Sequence, residues 1–156
     1  MPAPSLRLAE LGLELPPVTT PLAAYVPSKT TGTAVRSSGQ LPLVDGALTA
    51  VGKVGSDVSL EEAYAAARAC ALNALAAVAE AVGGIDAIAS ITHVTGFVAS
   101  DPSFYDQAKV VNGASDILGE IFGDRGRHTR SAVGVAVLPM NAAVEVEITC
   151  ELVGSA

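Results

Sequence analysis

Aromatic and basic residues are scarce in this sequence, and each shortage excludes a class of function. The 156 residues include no Trp, three Phe and three Tyr, and only 16% are charged. Nine Lys and Arg against 16 Asp and Glu leave a formal net charge of −7. The basic patch expected of a nucleic-acid-binding protein is limited to Arg125, Arg127, His128 and Arg130. A general role in binding RNA or DNA is therefore not expected.

Metal, redox and membrane signals are also missing. The two cysteines, Cys70 and Cys150, show no metal or redox spacing, and we interpret them as buried thiols in a reducing cytoplasm. His93 lies in an expected strand and is interpreted as a structural residue. No apolar run reaches the roughly 18 residues of a membrane span, and the N-terminus lacks the apolar segment of a secretory signal. With no P-loop, G-x-G-x-x-G, H-E-x-x-H or G-x-S-x-G motif, we expect neither a metal nor a cofactor.

The low charge predicts association between subunits. Half of the residues are hydrophobic, and the charged fraction of 16% lies below the roughly 25% that is usual for a small domain. With so few charges to cover its surface, the chain is expected to bury part of that surface against copies of itself.

The helices have clear boundaries. Residues 1–20 are rich in Pro and Leu and are expected to form a docked N-terminal extension with a short helical turn, before a domain over 21–156. Ser59 and Glu62 make a capping box that begins an alanine-rich helix ending near Val82. A second helix is expected from Ser103 to Phe122. It is followed by a polar, mobile loop over 123–129.

The remaining segments predict strands. They cover 33–38, 47–51, 87–98, 131–138 and 144–151. A short extended segment is also expected between Pro21 and Pro27. An Asp45-Gly46 hairpin turn precedes the strand over 47–51. The order β-β-β-α-β-α-β-β predicts an α+β fold in which one sheet carries two helices on one face. Its other face is then left for partner subunits.

The last two strands differ in pattern. The strand over 131–138 is apolar on both faces, which is typical of a strand covered from both sides. The strand over 144–151 alternates, with apolar Val144, Val146, Ile148 and Cys150 facing one way and polar Glu145, Glu147, Thr149 and Glu151 facing the other. Arg130 begins the first of these strands. With a carboxylate on the strand beside it, it is expected to form a polar pocket in an apolar wall.

Four polar residues near strand ends are the candidates for chemistry: Tyr25, Ser38, Arg130 and Glu145. Taken singly, each also fits an ordinary surface role. The segment S-S-G-Q-L-P at 37–42 and the segment R-S-A-V-G-V-A-V-L-P-x4-V-E-V-E at 130–147 resemble the signature regions of the RidA/YjgF family. Some members of that family carry the names endoribonuclease L-PSP or chorismate-mutase-like protein. The resemblance covers about residues 22–153.

The resemblance implies an assembly and a reaction. The assembly is a homotrimer with a central barrel and three pockets between subunits. The reaction is hydrolysis of 2-imino acids, or of enamines such as 2-aminoacrylate, to 2-oxo acids and ammonia. Arg130 would bind the substrate carboxylate, a role that suits its planar fork of donors. Glu145 would activate the attacking water, Ser38 and the backbone at Gly39 would hold the amino end, and Tyr25 would wall the pocket.

The sequence departs from the family pattern beside the arginine. Many members have Phe-Pro-Ala before it, where this chain has Arg127, His128 and Thr129, and a cysteine often lies at the position of Ala132. The extra cations would suit a dianionic ligand. Two further readings therefore stay open: a non-catalytic module that binds a small carboxylate-bearing metabolite in the same pocket, and a ribonuclease or chorismate mutase.

Overall fold

The computed structural model, which describes residues 1–21 and 23–154, is built on one five-stranded sheet. The helices are α1 (Pro4–Glu10), α2 (Leu60–Val82) and α3 (Gln107–Phe122). The strands are β1 (Ser28–Thr31), β2 (Ala34–Ser37), β3 (Leu43–Val44), β4 (Ala47–Leu48), β5 (Ile88–Ala99), β6 (Thr129–Val135) and β7 (Val144–Leu152). Residues 22, 155 and 156, which the expected domain includes, lie outside the described residues.

The sheet is mixed. Its strand order is β1-β2-β7-β5-β6, and every neighbouring pair is antiparallel except β5 and β6. Parallel neighbours need a crossover connection, and α3 supplies it. Helices α2 and α3 pack together on one face, so the expected α+β architecture with two helices on one face is confirmed.

Helix α2 begins and ends where its sequence signals lie. The hydroxyl of Ser59 accepts a hydrogen bond from the Glu62 amide at 3.1 Å, and the Glu62 carboxylate accepts one from the Ser59 amide at 2.8 Å. Gly83 ends the helix in the left-handed conformation at φ 84°. The helix is apolar and long enough to cross a membrane by length and composition, but 61% of its most apolar window is buried inside the protein. It is a core helix.

Small residues let the helices approach the sheet and each other closely. A Cβ on Gly113 of α3 would overlap the carbonyl oxygen of Tyr64 in α2, and a Cβ on Gly96 of β5 would overlap the Val111 side chain of α3. The alanines of α2 pack into the same core, with Ala63, Ala66, Ala67 and Ala71 fully buried. The alanine-rich composition therefore serves close packing of this layer.

The N-terminal residues form α1 against the body of the protein. The amide and hydroxyl of Ser5 donate to the Asp86 carboxylate at 2.9 and 2.6 Å. The Nε of Arg7 donates to the carbonyl oxygen of Glu120 in α3 at 2.9 Å.

Several predicted boundaries were wrong. Helix α3 begins at Gln107 rather than Ser103, because the Asp101 carboxylate accepts from the amide and hydroxyl of Ser103 and holds a turn there. Strand β6 ends at Val135 rather than at 138. The predicted loop over 123–129 contains a 3-10 turn over Gly123–Gly126, and its last residue, Thr129, already belongs to β6.

The predicted third strand does not join the main sheet. Residues 47–51 were expected to form it, but β4 ends at Leu48 and pairs only with β3 in a separate two-stranded sheet. The hairpin turn itself is confirmed, with φ of 52° at Asp45 and 80° at Gly46, the two positive values of a type I′ turn. The missing strand of the main sheet is β1, which lies just after the expected extended segment.

Candidate active site

A groove of about 560 Å³ lies on the face of the sheet that the helices leave open. It is lined by Tyr25, Val26, Lys29, Arg36, Ser37, Ser38, Gly39, Glu145 and Glu147. Four of the five predicted site residues therefore meet in one place, namely Tyr25, Ser38, Gly39 and Glu145. The groove spans β1, β2 and β7, which form one side of the sheet.

Ser38 fixes the segment that carries Tyr25. Its hydroxyl donates to the carbonyl oxygen of Val26 at 2.6 Å, and its amide donates to the carbonyl oxygen of Pro27 at 2.7 Å. These bonds hold the chain before β1 against the end of β2. The Tyr25 side chain remains exposed at the rim of the groove.

Gly39 and Glu145 are in direct contact. Gln40 pairs with Val146 through two backbone hydrogen bonds of 2.8 and 3.0 Å, which bring the chain after β2 alongside β7. A Cβ on Gly39 would then overlap the Glu145 carboxylate. The Glu145 carboxylate can therefore lie against residue 39 only because that residue is glycine.

The Glu145 carboxyl group is tuned by its surroundings. It is half-buried, and its pKa is raised above the usual 4.5, first by burial and then by the neighbouring charge of Glu147. A carboxylate whose pKa moves toward neutrality is a better general base at physiological pH. This position suits activation of a water molecule.

Two cations of the groove, Lys29 and Arg36, were not predicted from the sequence, which had placed Glu147 on the same face as Glu145. Arg36 donates to the Glu147 carboxylate at 2.6 Å, and Lys29 lies opposite Arg36 in the register of β1 and β2. The signal was present in β2, where Arg36 alternates with buried Val35 and Ser37 and therefore faces the polar side. Arg36 thus forms an ion pair with Glu147 on the acidic face of β7.

Arg130 lies outside this groove. The expectation that its strand neighbours the strand of Glu145 and forms a pocket with it was wrong. Strand β5 lies between β6 and β7, and Val94 of β5 pairs with both Arg130 and Ile148. Ile148 is buried on the helix face, so Arg130 points to that face too, whereas Glu145 lies on the open face. Within one chain, Arg130 and Glu145 occupy opposite faces of the sheet and do not form one site.

Helix α3 holds the Arg130 guanidinium. Its Nη1 donates to Asn112 Oδ1 at 2.8 Å and to Ser115 Oγ at 3.1 Å, and its Nη2 donates to the carbonyl oxygen of Ala108 at 3.3 Å. These bonds use three of the five guanidinium donors. Within the described part of the chain, the donors left are those of Nε and one of Nη2. These two nitrogens form one edge of the guanidinium, which can meet both oxygens of a carboxylate.

His128 completes this arrangement. Its Nδ1 lies 2.6 Å from the carbonyl oxygen of Gly126, which can only accept, so Nδ1 carries the proton. Its Nε2 then accepts from the Ser115 hydroxyl at 2.9 Å, and the Ser115 oxygen accepts from Arg130. Burial and the Arg130 charge lower the pKa of His128 below 6.5, in agreement with a neutral ring.

Among the described residues, the remaining histidine and the thiols make no side-chain hydrogen bond to Arg130, His128 or Glu145. The Nδ1 of His93 lies 2.7 Å from Thr129 Oγ1, whose own proton goes to the carbonyl oxygen of Thr92 at 3.1 Å, so His93 is hydrogen-bonded as predicted. Cys70 and Cys150 are fully buried free thiols. Over residues 1–21 and 23–154, no three His, Cys, Asp or Glu side chains are grouped as metal ligands.

Comparison with known proteins identifies the family. The model of the family described as "YjgF/chorismate mutase-like, putative endoribonuclease" matches residues 5–152, which is most of the chain. The chain belongs to the YjgF/RidA family. The signature segments at 37–42 and 130–147 thus lie inside a family match that also includes most of the N-terminal extension.

Individual relatives agree with this assignment. Protein TCP17 of Trypanosoma cruzi is 42% identical over 147 residues, covering 94% of this chain and 92% of that protein. The crystal structure of Atu1372 from Agrobacterium tumefaciens, a protein of unknown function, is 42% identical with a TM-score of 0.89, covering 96% and 92% of the two chains. Escherichia coli TdcF, solved with bound serine, shares the fold at 24% identity with a TM-score of 0.61, covering 88% and 93%.

Proposed function

We propose that this protein is a hydrolytic deaminase that converts 2-imino acids and their enamine tautomers to 2-oxo acids and ammonia in pockets between the subunits of a homotrimer. The observation that carries the proposal is the separation of two complementary half-sites. One is the Arg130 guanidinium at the β6 edge, with two donors left over. The other is the groove of Tyr25, Ser38, Gly39 and Glu145 at the β1–β2 side.

The separation favours a head-to-tail contact between copies. When the β6 edge of one subunit meets the β1–β2 side of the next, Arg130 of one copy approaches the Glu145 groove of the other. Such a heterologous contact forms a ring when the rotation closes, and because a two-fold dimer is isologous, the smallest ring that it can form is a trimer. The absence of a complete site within one chain supports this assembly.

The exposed apolar surface near β6 supports the same contact. Val133 is 42% exposed, and Val137, which follows β6, is 68% exposed. Apolar side chains gathered at a sheet edge are costly to leave in water and mark an interaction surface. The apolar strand expected to be covered on both faces is thus uncovered on one side in a single chain.

The chemistry follows from the two half-sites. Arg130 holds the substrate carboxylate through a bidentate pair, and the imine carbon then lies near Glu145. Glu145 takes a proton from water as the water oxygen bonds to the imine carbon, and passes that proton to the nitrogen as the C=N bond becomes single. Glu145 then takes the hydroxyl proton of the carbinolamine as the C=O bond of the 2-oxo acid forms and the C–N bond breaks, and it gives this second proton to the departing ammonia. Positioning suffices because the imine is already electrophilic, and the mechanism uses no cofactor.

The second candidate is a non-catalytic module that binds a small carboxylate-bearing metabolite in the same pocket. The specific observation in its favour is the departure from the family pattern beside Arg130. There His128 is hydrogen-bonded to Ser115, and Ser115 accepts a hydrogen bond from Arg130. TdcF, whose fold is shared, was solved with serine, which also carries a carboxylate. Both candidates are consistent with a protein that keeps its thiols reduced in the cytoplasm.

An ammonia-release assay separates the two candidates. Imino acids generated in situ by an amino-acid oxidase are offered to the wild type, Arg130→Ala and Glu145→Gln. A deaminase accelerates ammonia release above the spontaneous rate, and both variants lose that acceleration. A binding module leaves the rate at the spontaneous level but still binds serine or a 2-oxo acid through Arg130.

The assembly has its own measurement. Light scattering should give about three times the chain mass of 15.6 kDa at micromolar concentration. A monodisperse monomer would contradict the shared pocket and with it the proposed site.

A further inference from the structure

Hydrogen bonds to which the proposed reaction gives no role join Arg130 to the loop before β6. The Nη1 of Arg130 donates to Ser115 Oγ at 3.1 Å, and Ser115 Oγ lies 2.9 Å from His128 Nε2. The other ring nitrogen of His128 lies 2.6 Å from the carbonyl oxygen of Gly126. The arginine is thus connected, through two side chains, to a backbone carbonyl of the 3-10 turn.

The two ends of this series decide where its protons lie. A carbonyl oxygen can only accept a hydrogen bond, and a guanidinium can only donate. The neutral His128 ring therefore donates from Nδ1 to Gly126 and accepts at Nε2. Ser115 must then give its hydrogen to His128, because its oxygen has to offer a lone pair to Arg130. The His128 ring thus sets the direction in which the Ser115 hydroxyl points.

The Gly126 end of the series is held by close packing on α3. Gly126 is buried, and a Cβ at this position would overlap the carbonyl oxygen of Leu118. Glycine is therefore the residue that lets the turn over Gly123–Gly126 lie so near the helix. The carbonyl oxygen that receives the His128 proton keeps a defined place relative to α3.

Ser115 makes an unusual choice of partner for its position. It lies in the middle of α3, where a serine hydroxyl often donates back to the carbonyl oxygen four residues earlier. Its hydroxyl meets the His128 ring instead. Its neighbour Ala114 is fully buried in the core, as is Leu118 one turn further along, so α3 fixes the height of Ser115 over the sheet.

We infer that His128 and Ser115 are positioning residues for Arg130, which hold its Nη1 so that the Nε and Nη2 edge is aimed at a carboxylate before the ligand arrives. The inference rests on the proposed function, in which Arg130 is the carboxylate anchor. Both residues act through the arginine. A long side chain that is already ordered does not have to be ordered on binding, which is worth about 3- to 10-fold in affinity.

Two amide substitutions separate the roles of the two ring nitrogens. His128→Gln can place an acceptor near the position of Nε2 and so keep the bond from Ser115, but it gives up the donor to Gly126. His128→Asn reaches only the position of Nδ1, so it can keep the donor to Gly126 but loses Ser115. The inference predicts that Gln supports ligand binding and Asn does not. A purely structural role through Gly126 predicts the reverse order.

Titration calorimetry with pyruvate, a stable 2-oxo acid of the proposed product class, measures this order on the full chain at pH 7.5. We expect His128→Asn and Ser115→Ala to bind pyruvate about 3- to 10-fold more weakly than the wild type. His128→Gln should bind it nearly as the wild type does. Equal affinities of the Gln and Asn variants, or the reverse order, would overturn the inference.

Tyr64→Phe is the matched control for a general loosening of α3. It removes the hydrogen bond of 2.7 Å from the Tyr64 hydroxyl to Asp116, the residue next to Ser115, which does not lead to Arg130. Pyruvate should bind this variant as it binds the wild type. A loss as large as that of Ser115→Ala would show that any weakened contact of α3 has the same effect, and would refute a specific positioning role.

A double variant tests whether the two residues act in series. Once Ser115→Ala has removed the link to Arg130, adding His128→Asn should weaken pyruvate binding no further. Losses that simply multiply in the double variant would mean that His128 acts by another route, and the inference would fail.

The guanidinium N–H signals of Arg130 in NMR spectra report its positioning without any ligand. They are identified by their disappearance in Arg130→Ala. Separate Nη signals are expected while the hydrogen bonds hold the group, and they should broaden or merge in Ser115→Ala and His128→Asn but not in His128→Gln. Signals that are the same in the wild type and in Ser115→Ala would contradict the inference.

Failure of the proposed function has a different signature. If no imino acid releases ammonia faster than spontaneously but the pyruvate affinities follow the expected order, the deaminase proposal fails and the positioning pair stands for a binding module. If imino acids are hydrolysed, Ser115→Ala and His128→Asn should raise KM and leave kcat nearly unchanged, and an unchanged KM sinks the positioning role alone. Pyruvate binding that is absent, or that Arg130→Ala leaves intact, would remove the arginine as anchor and overturn the inference with it.

Discussion

The two edges of the sheet are built in contrasting ways. At the β6 edge, a long cationic side chain is clamped by a helix through uncharged partners, namely Asn112, Ser115 and a backbone carbonyl. On the β1–β2 side, carboxylates line an open groove, and one of them is already paired with Arg36. Neither edge is sufficient for the proposed chemistry. The edge proposed to bind an anion holds its arginine by hydrogen bonds to α3, and the edge proposed to move a proton holds Glu145, whose pKa is raised.

The contrast suggests a division of labour that mutation can test. The β6 edge should govern affinity, because its interaction with a carboxylate is the same in substrate and transition state. The groove should govern turnover, because Glu145 is needed only as water is activated.

The largest effect is expected from Arg130→Ala. Loss of a bidentate charge-assisted pair leaves the substrate carboxylate unpaired and costs about 2–4 kcal/mol, or about 30- to 1000-fold in kcat/KM. The assembly should stay intact by light scattering. Full activity in Arg130→Lys would contradict bidentate recognition, because lysine offers a point charge only.

Glu145→Gln should act on turnover rather than affinity. It removes the base while keeping the shape, so we expect kcat to fall by about 100-fold with little change in the affinity for pyruvate. Steady-state kinetics beside calorimetry measures both quantities. Unchanged turnover would remove Glu145 from the mechanism, and the β1–β2 side would then contribute only walls to the pocket.

Glu145→Gln, which should lower turnover, should at the same time raise the stability of the folded protein at pH 7. Because the folded state raises the pKa of Glu145, the folded protein retains a proton that the unfolded chain releases above pH 4.5. The free energy of unfolding therefore falls as pH rises through this window, and the loss persists at pH 7. Glu145→Gln should unfold at a higher denaturant concentration than the wild type at pH 7 and at nearly the same concentration at pH 4.

A smaller effect is expected from Arg36→Ala within the groove. Removal of the arginine leaves the Glu147 charge uncompensated beside Glu145, so the pKa of Glu145 should rise further. The acid limb of the pH profile of kcat should then move to higher pH, without the loss of affinity expected at Arg130. Lys29→Ala, on the neighbouring strand but outside the ion pair, is the control.

The smallest effect concerns His128 at the β6 edge. The folded state lowers its pKa, so below pH 6.5 the unfolded chain binds a proton that the folded protein resists. The free energy of unfolding should fall as pH decreases from 6.5. In His128→Gln, which keeps an acceptor for Ser115, this dependence should disappear in denaturant titrations at pH 5.5 and pH 7.5. Identical pH dependence in the two proteins would place the titration elsewhere.

The sequence was most informative where local rules decide the structure. The Ser59–Glu62 capping box, Gly83 and the alternation of β7 each follow from a few neighbouring residues, and all three predictions were confirmed. The helix order and the α+β class followed from them. The resemblance of 37–42 and 130–147 to a family added the groove residues, which no local rule connects.

The remaining features depend on contacts between distant segments. The insertion of β5 between β6 and β7 is decided by pairing over more than thirty residues, as in His93 with Thr129, and adjacency in sequence favoured the wrong neighbour. The Ser115–His128 contact likewise joins the middle of a helix to the residue before a strand. Arg36 was missed because its partner Glu147 is 111 residues away.

The position two residues after Arg130 has a consequence for chemical reactivity. It is Ala132, so the arginine half-site offers no sulfur to an electrophile or an oxidant. The only two thiols are sealed in the core, where burial raises the pKa of Cys150 to about 12 and that of Cys70 as well, and a protonated thiol is a poor nucleophile. Thiol-alkylating agents should therefore leave Cys70 and Cys150 of the folded protein unmodified.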